Sequence, residues 1–436
     1  MRVTIHVYYS ASEADAFIAA HTAGGSLVYS RGTGTGFTTI TGGTLANPSL
    51  RPRIVAWPQK GKLFCFDGTN PVTEYNGVDM QTTPTRKDDL GIYEYIPPRR
   101  GPYACLHKNR IFATDPGELA FSVYACDVND ETTWRPQVQL AANDERGGAI
   151  TGLASYGDAL IIFKNTCLFR FLGDPEFGAA QLSRYSEVGC VAPDSIQVTP
   201  FGVIFVGREG VWLTDGENVT LLSRAIRPLF VGRDSETLHT DAVGVYYPRR
   251  EQYWLKLSPA SDGYVLQRVA ILTEGGETTQ LAWSRIPSLN MNCGAVWGSA
   301  ADDGQLYLGD QIGFVWLRDV GADDNGSSYT TGILTSQRYV HERRLEGRIN
   351  RLKPLYRGAA PLTGAVRYDQ AATDDVAFTA GATLASPAVQ EPRTYLADQA
   401  SFGRFISVRC ESSEGPEFEL HRIDADTRVR GGRAWG

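Results

Sequence analysis

Gly202-Val-Ile-Phe-Val-Gly-Arg-Glu-Gly-Val-Trp-Leu-Thr-Asp-Gly216 decides how the chain is read. Two short apolar runs, 203–206 and 211–213, flank a turn of Gly207, Arg208, Glu209 and Gly210, and Asp215-Gly216 supplies a second turn. Runs this short, β-branched and aromatic, bounded by glycine, predict a β-hairpin rather than a buried helix. Neither run alternates apolar with polar, so each strand is expected to be covered on both faces. On this reading Trp212 is a core anchor.

The device recurs. Gly61-Lys-Leu-Phe-Cys-Phe-Asp-Gly68, Lys108-Asn-Arg-Ile-Phe-Ala-Thr-Asp115, Gly157-Asp-Ala-Leu-Ile-Ile-Phe163, Ala242-Val-Gly-Val-Tyr-Tyr247 and Asp303-Gly-Gln-Leu-Tyr-Leu308 are further copies. Measured between Leu63, Ile111, Leu160, Ile204, Val245 and Leu306, the spacings are 48, 49, 44, 41 and 61, the last long enough to hold an insertion around 258–276. A period of about 45 residues with several short strands per unit is the signature of a β-propeller. Its middle strands lie buried between neighbouring blades, which accounts for the unbroken apolar runs. The expected fold is therefore all-β, a degenerate β-propeller of five or six blades over 49–326, with a pair of β-sandwiches as the alternative. Composition agrees: 46 Gly and 22 Pro in 436 residues favour turns over long helices, and aromatics reach 11%.

Outside the repeat, 3–9 reads as a strand. Ser10 and Glu13 make a capping-box signature ahead of helix formers at 14–20, and 26–30 reads as a strand. Arg31-Gly-Thr-Gly-Thr-Gly36 is a Gly-rich loop without the Gly-Lys-Ser/Thr and following helix that phosphate binding requires. Ser223 is expected to N-cap a short helix over 224–230. Asp323-Asp-Asn-Gly326 marks a break. Beyond it 362–369, 393–396, 404–410 and 417–423 read as strands, the last two alternating as half-buried ones do. Residues 327–436 are expected to form a β-sandwich-like platform domain, completed by strands from the N-terminal segment 1–48.

Net charge is −7. Residues 331–436 hold 15 basic and 13 acidic side chains, against 27 and 36 in 1–330. A mostly acidic body argues against a general DNA binder. The seven cysteines are scattered, odd in number and set in apolar runs, which predicts reduced thiols serving as small hydrophobes. Met1-Arg-Val-Thr-Ile-His-Val lacks a signal-peptide core, and no apolar stretch reaches the ~20 residues of a membrane span. A soluble protein made in a reducing cytoplasm is expected.

Chemistry-bearing motifs are weak. There is no Gly-x-Ser-x-Gly, His-Glu-x-x-His or Walker loop. His341-Glu342 begins a metalloprotease pattern, but Leu345 stands where the second His belongs. Six histidines at 6, 21, 107, 239, 341 and 421 are too dispersed to suggest a metal cluster. Asp323-Asp-Asn-Gly326 and Ala301-Asp-Asp-Gly304 offer oxygens for Ca²⁺, but such composition is also that of ordinary turns. Asp130-Glu-Thr-Thr-Trp134 partly resembles the Asp-box turn of sialidase propellers and lacks its Ser-x-Asp-x-Gly portion. No catalytic, cofactor-binding or metal-binding set is assigned. The one local charge anomaly is the basic run Arg338, Arg343, Arg344, Arg348, Arg351, Lys353 and Arg357, seven basic residues with two acidic ones over 338–357. It is either a solvated strand pair or an interface toward an acidic protein surface or a nucleic-acid backbone, a role that suits Arg.

The order of elements carries a resemblance. A Gly-rich N-terminal segment is followed by Thr151-Gly-Leu-Ala-Ser-Tyr-Gly-Asp-Ala-Leu-Ile-Ile-Phe163, Val198-Thr-Pro-Phe-Gly-Val-Ile-Phe205 and Gly210-Val-Trp-Leu-Thr-Asp-Gly216. A β tail then ends in Phe418-Glu-Leu-His-Arg-Ile423 and Arg430-Gly-Gly-Arg433. This resembles the tail nozzle or hub proteins of short-tailed bacteriophages, the packaged-DNA-stabilisation and tail-tubular-B group, in pattern and order over most of the chain. The resemblance implies a virion tail protein without an active site or cofactor. Six copies would form a ring below the portal and adaptor, contacting tail fibres or spikes. Genomic DNA would pass through without sequence-specific binding, consistent with an acidic body that does not grip phosphates. The basic run would then be a subunit or adaptor interface. Two other readings stand beside it: a propeller module that binds host-surface glycans, and a glycan-active enzyme, which needs two positioned carboxylates.

Overall fold

Gly202–Gly207 and Gly210–Thr214 form the predicted hairpin, with Val206 opposite Val211 and Phe205 opposite Trp212. Successive side chains on a strand point to opposite faces, and here the two faces meet different neighbours. Val203 and Phe205 pack with Ala154, Ile161, Phe163 and Leu168 on one side. Ile204 and Val206 pack with Tyr253, Leu255 and Leu266 on the other. Trp212 is only half-buried, so Phe205, fully buried, is the anchor instead. Gly210 serves close approach: a Cβ there would lie 2.2 Å from Ser223 Oγ.

The structure, a computed structural model, describes residues 4–8, 17–21, 26–30, 37–44, 51–75, 77–84, 86–87, 94–95, 101–115, 121–144, 147–176, 181–231, 238–259, 261–273, 276–287, 289–297, 304–310, 314–318, 323–324, 327–328, 331–334, 338–339, 347–368, 376–384, 388–395, 405–412 and 419–429. The chain divides into two compact units, 1–319 and 320–436.

Among the described residues of the first unit, seven antiparallel sheets of three or four strands follow one another, each a meander in sequence order, with a two-stranded pair, Arg86–Lys87 and Glu94–Tyr95, between the second and the third. Their first strands are Thr4–Tyr8, Arg53–Trp57, Ala104–His107, Ile150–Tyr156, Ala192–Thr199, Val243–Tyr247 and Cys293–Trp297. Each of these packs beside the first strand of the next sheet, and Cys293–Trp297 packs beside Thr4–Tyr8, which also touches Arg53–Trp57. The cycle closes. The unit is a propeller, and the sheets are its blades 1 to 7; the first six have four strands and blade 7 has three among the described residues.

Two expectations change here. The blade count is seven rather than five or six, because residues of the 1–48 segment build a blade of their own instead of completing the sandwich. Phe17–His21 is a strand of that blade, not a helix. A capping-box signature is local and weak, and pairing along both edges, with Thr4–Tyr8 and with Ser26–Ser30, overrides it. Gly42, at φ +75°, lets blade 1 meet blade 2: a Cβ there would lie 2.2 Å from the Met80 carbonyl oxygen. The loop 31–36 and the caps at Ser10 and Glu13 lie outside the described residues. The uneven spacing in the sequence has a related cause. Leu63, Ile111, Leu160, Ile204 and Leu306 lie on second strands, whereas Val245 lies on a first strand. An extension also exists: Gly263–Thr273 and Gly276–Ile286 pair along their whole length and run past the shorter Gln252–Lys256.

Ser223 does not cap. Arg224–Leu229 is a 3₁₀ helix with no side-chain cap bond. The buried Ser223 Oγ instead accepts the Val211 N–H at 2.9 Å. Ser223→Ala should orphan that amide and cost about 1–3 kcal/mol. Hydrogen exchange at Val211 checks it; unchanged protection would assign the amide another partner.

The second unit is a two-sheet sandwich. One sheet holds Thr331–Leu334, Phe405–Ser412, Leu362–Tyr368 and Val376–Ala380; the other is built on Gly347–Gly358 paired with Glu419–Val429. Ile349, Leu352 and Tyr356 from the second sheet pack against Leu362, Val366, Phe378, Val408 and Cys410 from the first. Among the described residues hydrogen bonds cross between the sheets: the Ile349 N–H donates to Tyr368 Oη, Tyr356 Oη donates to the Ala380 carbonyl, and Thr394 Oγ1 donates to the Thr379 carbonyl. The first is available because the register shifts between Ile349 and Arg351. The observed boundary at 319/320 falls just ahead of the Asp323-Asp-Asn-Gly326 break.

Candidate functional site: the propeller channel

The basic run lies on the sandwich. Arg338 is in the short strand Arg338–Tyr339, whose side chains are outside the described residues, as are Arg343 and Arg344 altogether. Arg348, Arg351, Lys353 and Arg357 lie on Gly347–Gly358. Leu352, Pro354 and Tyr356 point into the core. By alternation Arg351, Lys353 and Arg357 share the outer face. The strand beside them answers the charge. Its register sets Asp426 opposite Arg351, Asp424 opposite Lys353 and Glu419 opposite Arg357. Arg351 Nε donates to Asp426 Oδ2 at 2.5 Å, and Lys353 Nζ stands 3.6 Å from Asp426 Oδ1. These hydrogen bonds from Arg351 hold the Asp426 carboxyl below its usual range. Within the sheet Arg351 and Lys353 thus share the Asp426 carboxylate, as cross-strand groups of opposite sign should, while Arg348 stands opposite Arg428.

The other motifs resolve locally. Asp130 Oδ1 accepts the Thr132 amide at 3.0 Å and Oδ2 accepts Thr133 Oγ1 at 2.8 Å, while Trp134 Nε1 donates to the Glu131 carbonyl; these local bonds hold the bulged start of the strand Asp130–Ala141. Asp67 and Asp215 cap their Asp-Gly turns the same way, through the amides of Thr69 and Asn70, and of Glu217 and Asn218. His341-Glu342 and most of Ala301-Asp-Asp-Gly304 lie outside the described residues. Among the described residues no group of three or more His, Cys, Asp and Glu is placed to hold a metal ion. No helix there is long and apolar enough to cross a membrane. None of the seven cysteines forms a disulfide, and burial pushes the thiols of Cys65, Cys105, Cys126 and Cys190 up to about 12. They pack as small hydrophobes.

What the sequence reading missed is the centre of the propeller. A cavity of about 280 Å³ opens where the first strands of blades 2 to 7 converge. Its charged lining is Arg51, Arg53 and Asp194. Arg51 and Arg53 enter with blade 2, and Asp194 sits on the first strand of blade 5, across the ring. Arg51 Nη1 lies 2.8 Å from Asp194 Oδ2, and Arg53 Nη2 lies 2.7 Å from Asp194 Oδ1. Arg51 Nη2 also donates to Asn292 Oδ1, just ahead of blade 7, at 2.8 Å. The Arg53 guanidinium stands 5.7 Å from the centre of the Tyr103 ring, which lines the wall from blade 3. Burial raises the Tyr103 hydroxyl's pKa, and Arg53 pulls the other way.

These residues are single, polar and far apart in sequence, so no window contains them. Only Arg51-Pro-Arg53, two basic residues directly before an apolar strand, marks the place. The geometry bridges the channel with charge-assisted bonds. It leaves two guanidiniums facing one carboxylate.

Compared with known proteins, the chain matches no family model and no curated protein. Solved structures resemble it in part. The Neurospora crassa Pan2 WD40 domain aligns with a TM-score of 0.41 at 10% identity, over 73% of this chain and 89% of that one. The extracellular domain of a B. thetaiotaomicron hybrid two-component system aligns with a TM-score of 0.38 at 10% identity, over 72% of this chain and 51% of that one.

Proposed function

We propose that this chain is a structural, non-enzymatic ring component of a short-tailed phage tail, a nozzle or hub that extends the DNA exit channel below the adaptor. The observation that carries the reading is the order of units: a degenerate propeller followed by a separate β-sandwich. That is the order the resemblance to nozzle proteins implies. One departure stands against it. The N-terminal strands build a propeller blade, whereas in the nozzle proteins both chain ends contribute to the platform.

In this role the partners are further copies of the chain, an adaptor, and fibres or spikes, and the protein resides in the virion tail after synthesis in the host cytoplasm. The propeller's own channel is bridged by Arg51, Arg53 and Asp194. DNA would therefore pass through the hole at the centre of the ring of copies and not through any single propeller.

Electron microscopy of the purified full chain, alone and with an adaptor protein, tests the reading. Six-fold rings in either condition support it. A strict monomer in both overturns it, and turnover of a polysaccharide would replace it with the glycan-active alternative. Within the same experiment, Arg343→Glu, Arg344→Glu and Arg348→Glu together should weaken ring assembly or docking. If rings form and dock as before, the basic run is not the interface.

A further inference from the structure

We propose that the channel cavity of the propeller binds a small oxyanion, a phosphate or carboxylate group, on the guanidiniums of Arg51 and Arg53. This goes beyond the ring assignment and holds whether or not the chain assembles.

Charge balance is the first argument. Among the described residues the cavity lining carries two guanidiniums and one carboxylate, an excess of one positive charge. Arg is always protonated, so the imbalance cannot be relieved by losing a proton. The Arg51 side chain is only 11% exposed and that of Arg53 27%. A charge withdrawn from water to that extent costs free energy unless it is paired.

Donor geometry is the second. A guanidinium offers five N–H donors. Arg51 uses Nη1 on Asp194 and Nη2 on Asn292, while its Nε is buried with no hydrogen-bond partner among the described residues. Arg53 commits Nη2 to Asp194. Its remaining donors lie beside the cavity with Tyr103 as an aromatic wall. Asp194 and Asn292 thus hold the two forks in place from the far side of the ring. Pre-set forks of this kind suit the planar, bidentate acceptor geometry of carboxylate and phosphate.

Space is the third. A volume of about 280 Å³ has room for several waters or a small anion; a water takes about 30 Å³ in the liquid. Gln197, from the same strand as Asp194, adds a neutral polar group to the wall, and no second carboxylate lines the cavity among the described residues.

Isothermal titration calorimetry of the full chain in a chloride buffer tests this with two probes, inorganic phosphate and succinate. Saturable binding of either supports the proposal, and the arm that responds says which oxyanion the site prefers. Arg53→Gln removes the surplus charge and should weaken binding at least about tenfold, the worth of one hydrogen bond to a charged group. Asp194→Asn acts in the opposite direction: it raises the local charge and should tighten binding, an outcome that a damaged fold would not produce. Arg357→Gln, an exposed change on the sandwich, should leave the titration unchanged. Absence of saturable binding by wild type in both arms overturns the proposal. So does Arg53→Gln binding as wild type does, or Asp194→Asn failing to tighten binding while circular dichroism shows it folded.

Discussion

Phe205→Ala is expected to lower the stability of the chain by about 3–5 kcal/mol, the range for emptying a buried aromatic site. Phe205 is fully buried on the second strand of blade 5, and its ring meets that of Phe163 in blade 4 edge to face, 5.2 Å between centres. Such pairs add to the burial itself. Collapse around the deletion is hindered. Ile204 and Val206 hold the same strand against blade 6, so blade 5 cannot move toward blade 4 without opening its other side. Urea denaturation followed by tryptophan fluorescence measures the loss. Val198→Ala, at a half-exposed position in the same blade, should change stability by no more than about 0.5 kcal/mol. If Phe205→Ala costs as little as that control, the blades are not packed through this residue.

Acid is expected to weaken the fold through His107. The residue is 2% exposed at the end of the first strand of blade 3, with Nδ1 2.8 Å from Ser155 Oγ of blade 4. Its Nε2 is buried with no hydrogen-bond partner among the described residues, so protonation would place an unanswered N–H and a charge in the interior. Burial holds its pKa down at about 4, with Lys108 pushing the same way and Asp158 against it. The unfolded chain takes up this proton near pH 6.5, whereas the folded chain resists until about 4. The unfolded state therefore binds more protons between those values. Stability is full above 6.5, falls as pH drops toward 4, and loses nothing more from this group below that. Each pH unit between the two values takes away about 1.4 kcal/mol, so the loss is at most roughly 3 kcal/mol. Urea midpoints at pH 7 and pH 4.5 for wild type and His107→Gln measure it. The glutamine keeps a hydrogen-bonding group toward Ser155 but does not titrate. Parallel pH profiles for the two proteins would remove His107 as the cause.

How much of this was legible in the sequence depended on where the physics was local. The hairpin of 202–216 could be read because turn residues and unbroken apolar runs lie within one window, and burial on both faces follows from them. The Asp-Gly turns were equally local. Blade 1 was not read as a blade: its last strand, Thr38–Thr44, is mostly threonine and glycine, which gives no apolar run, and its closure depends on residues almost three hundred positions later. The phase error at Val245 arose because first and second strands of blade 6, Val243–Tyr247 and Gln252–Lys256, are both apolar. In the basic run, composition showed the excess positive charge but not the acidic residues that the neighbouring strand sets opposite it. The Arg51, Arg53 and Asp194 group was invisible for a different reason. It exists only because the ring brings blades 2 and 5 to a common axis.

The closure between the first and last blades also sets an order of events. Every other blade can dock as soon as the next stretch of chain leaves the ribosome, since its neighbour follows it directly. The sheet that begins at Thr4 must wait for the one that begins at Cys293. Until then one face of each stays uncovered. Among the described residues no strand is shared between the two blades and no hydrogen-bonded ladder joins them. Contacts so distant in sequence form slowly. The nascent chain thus carries an open seam until the blade that begins at Cys293 has been made.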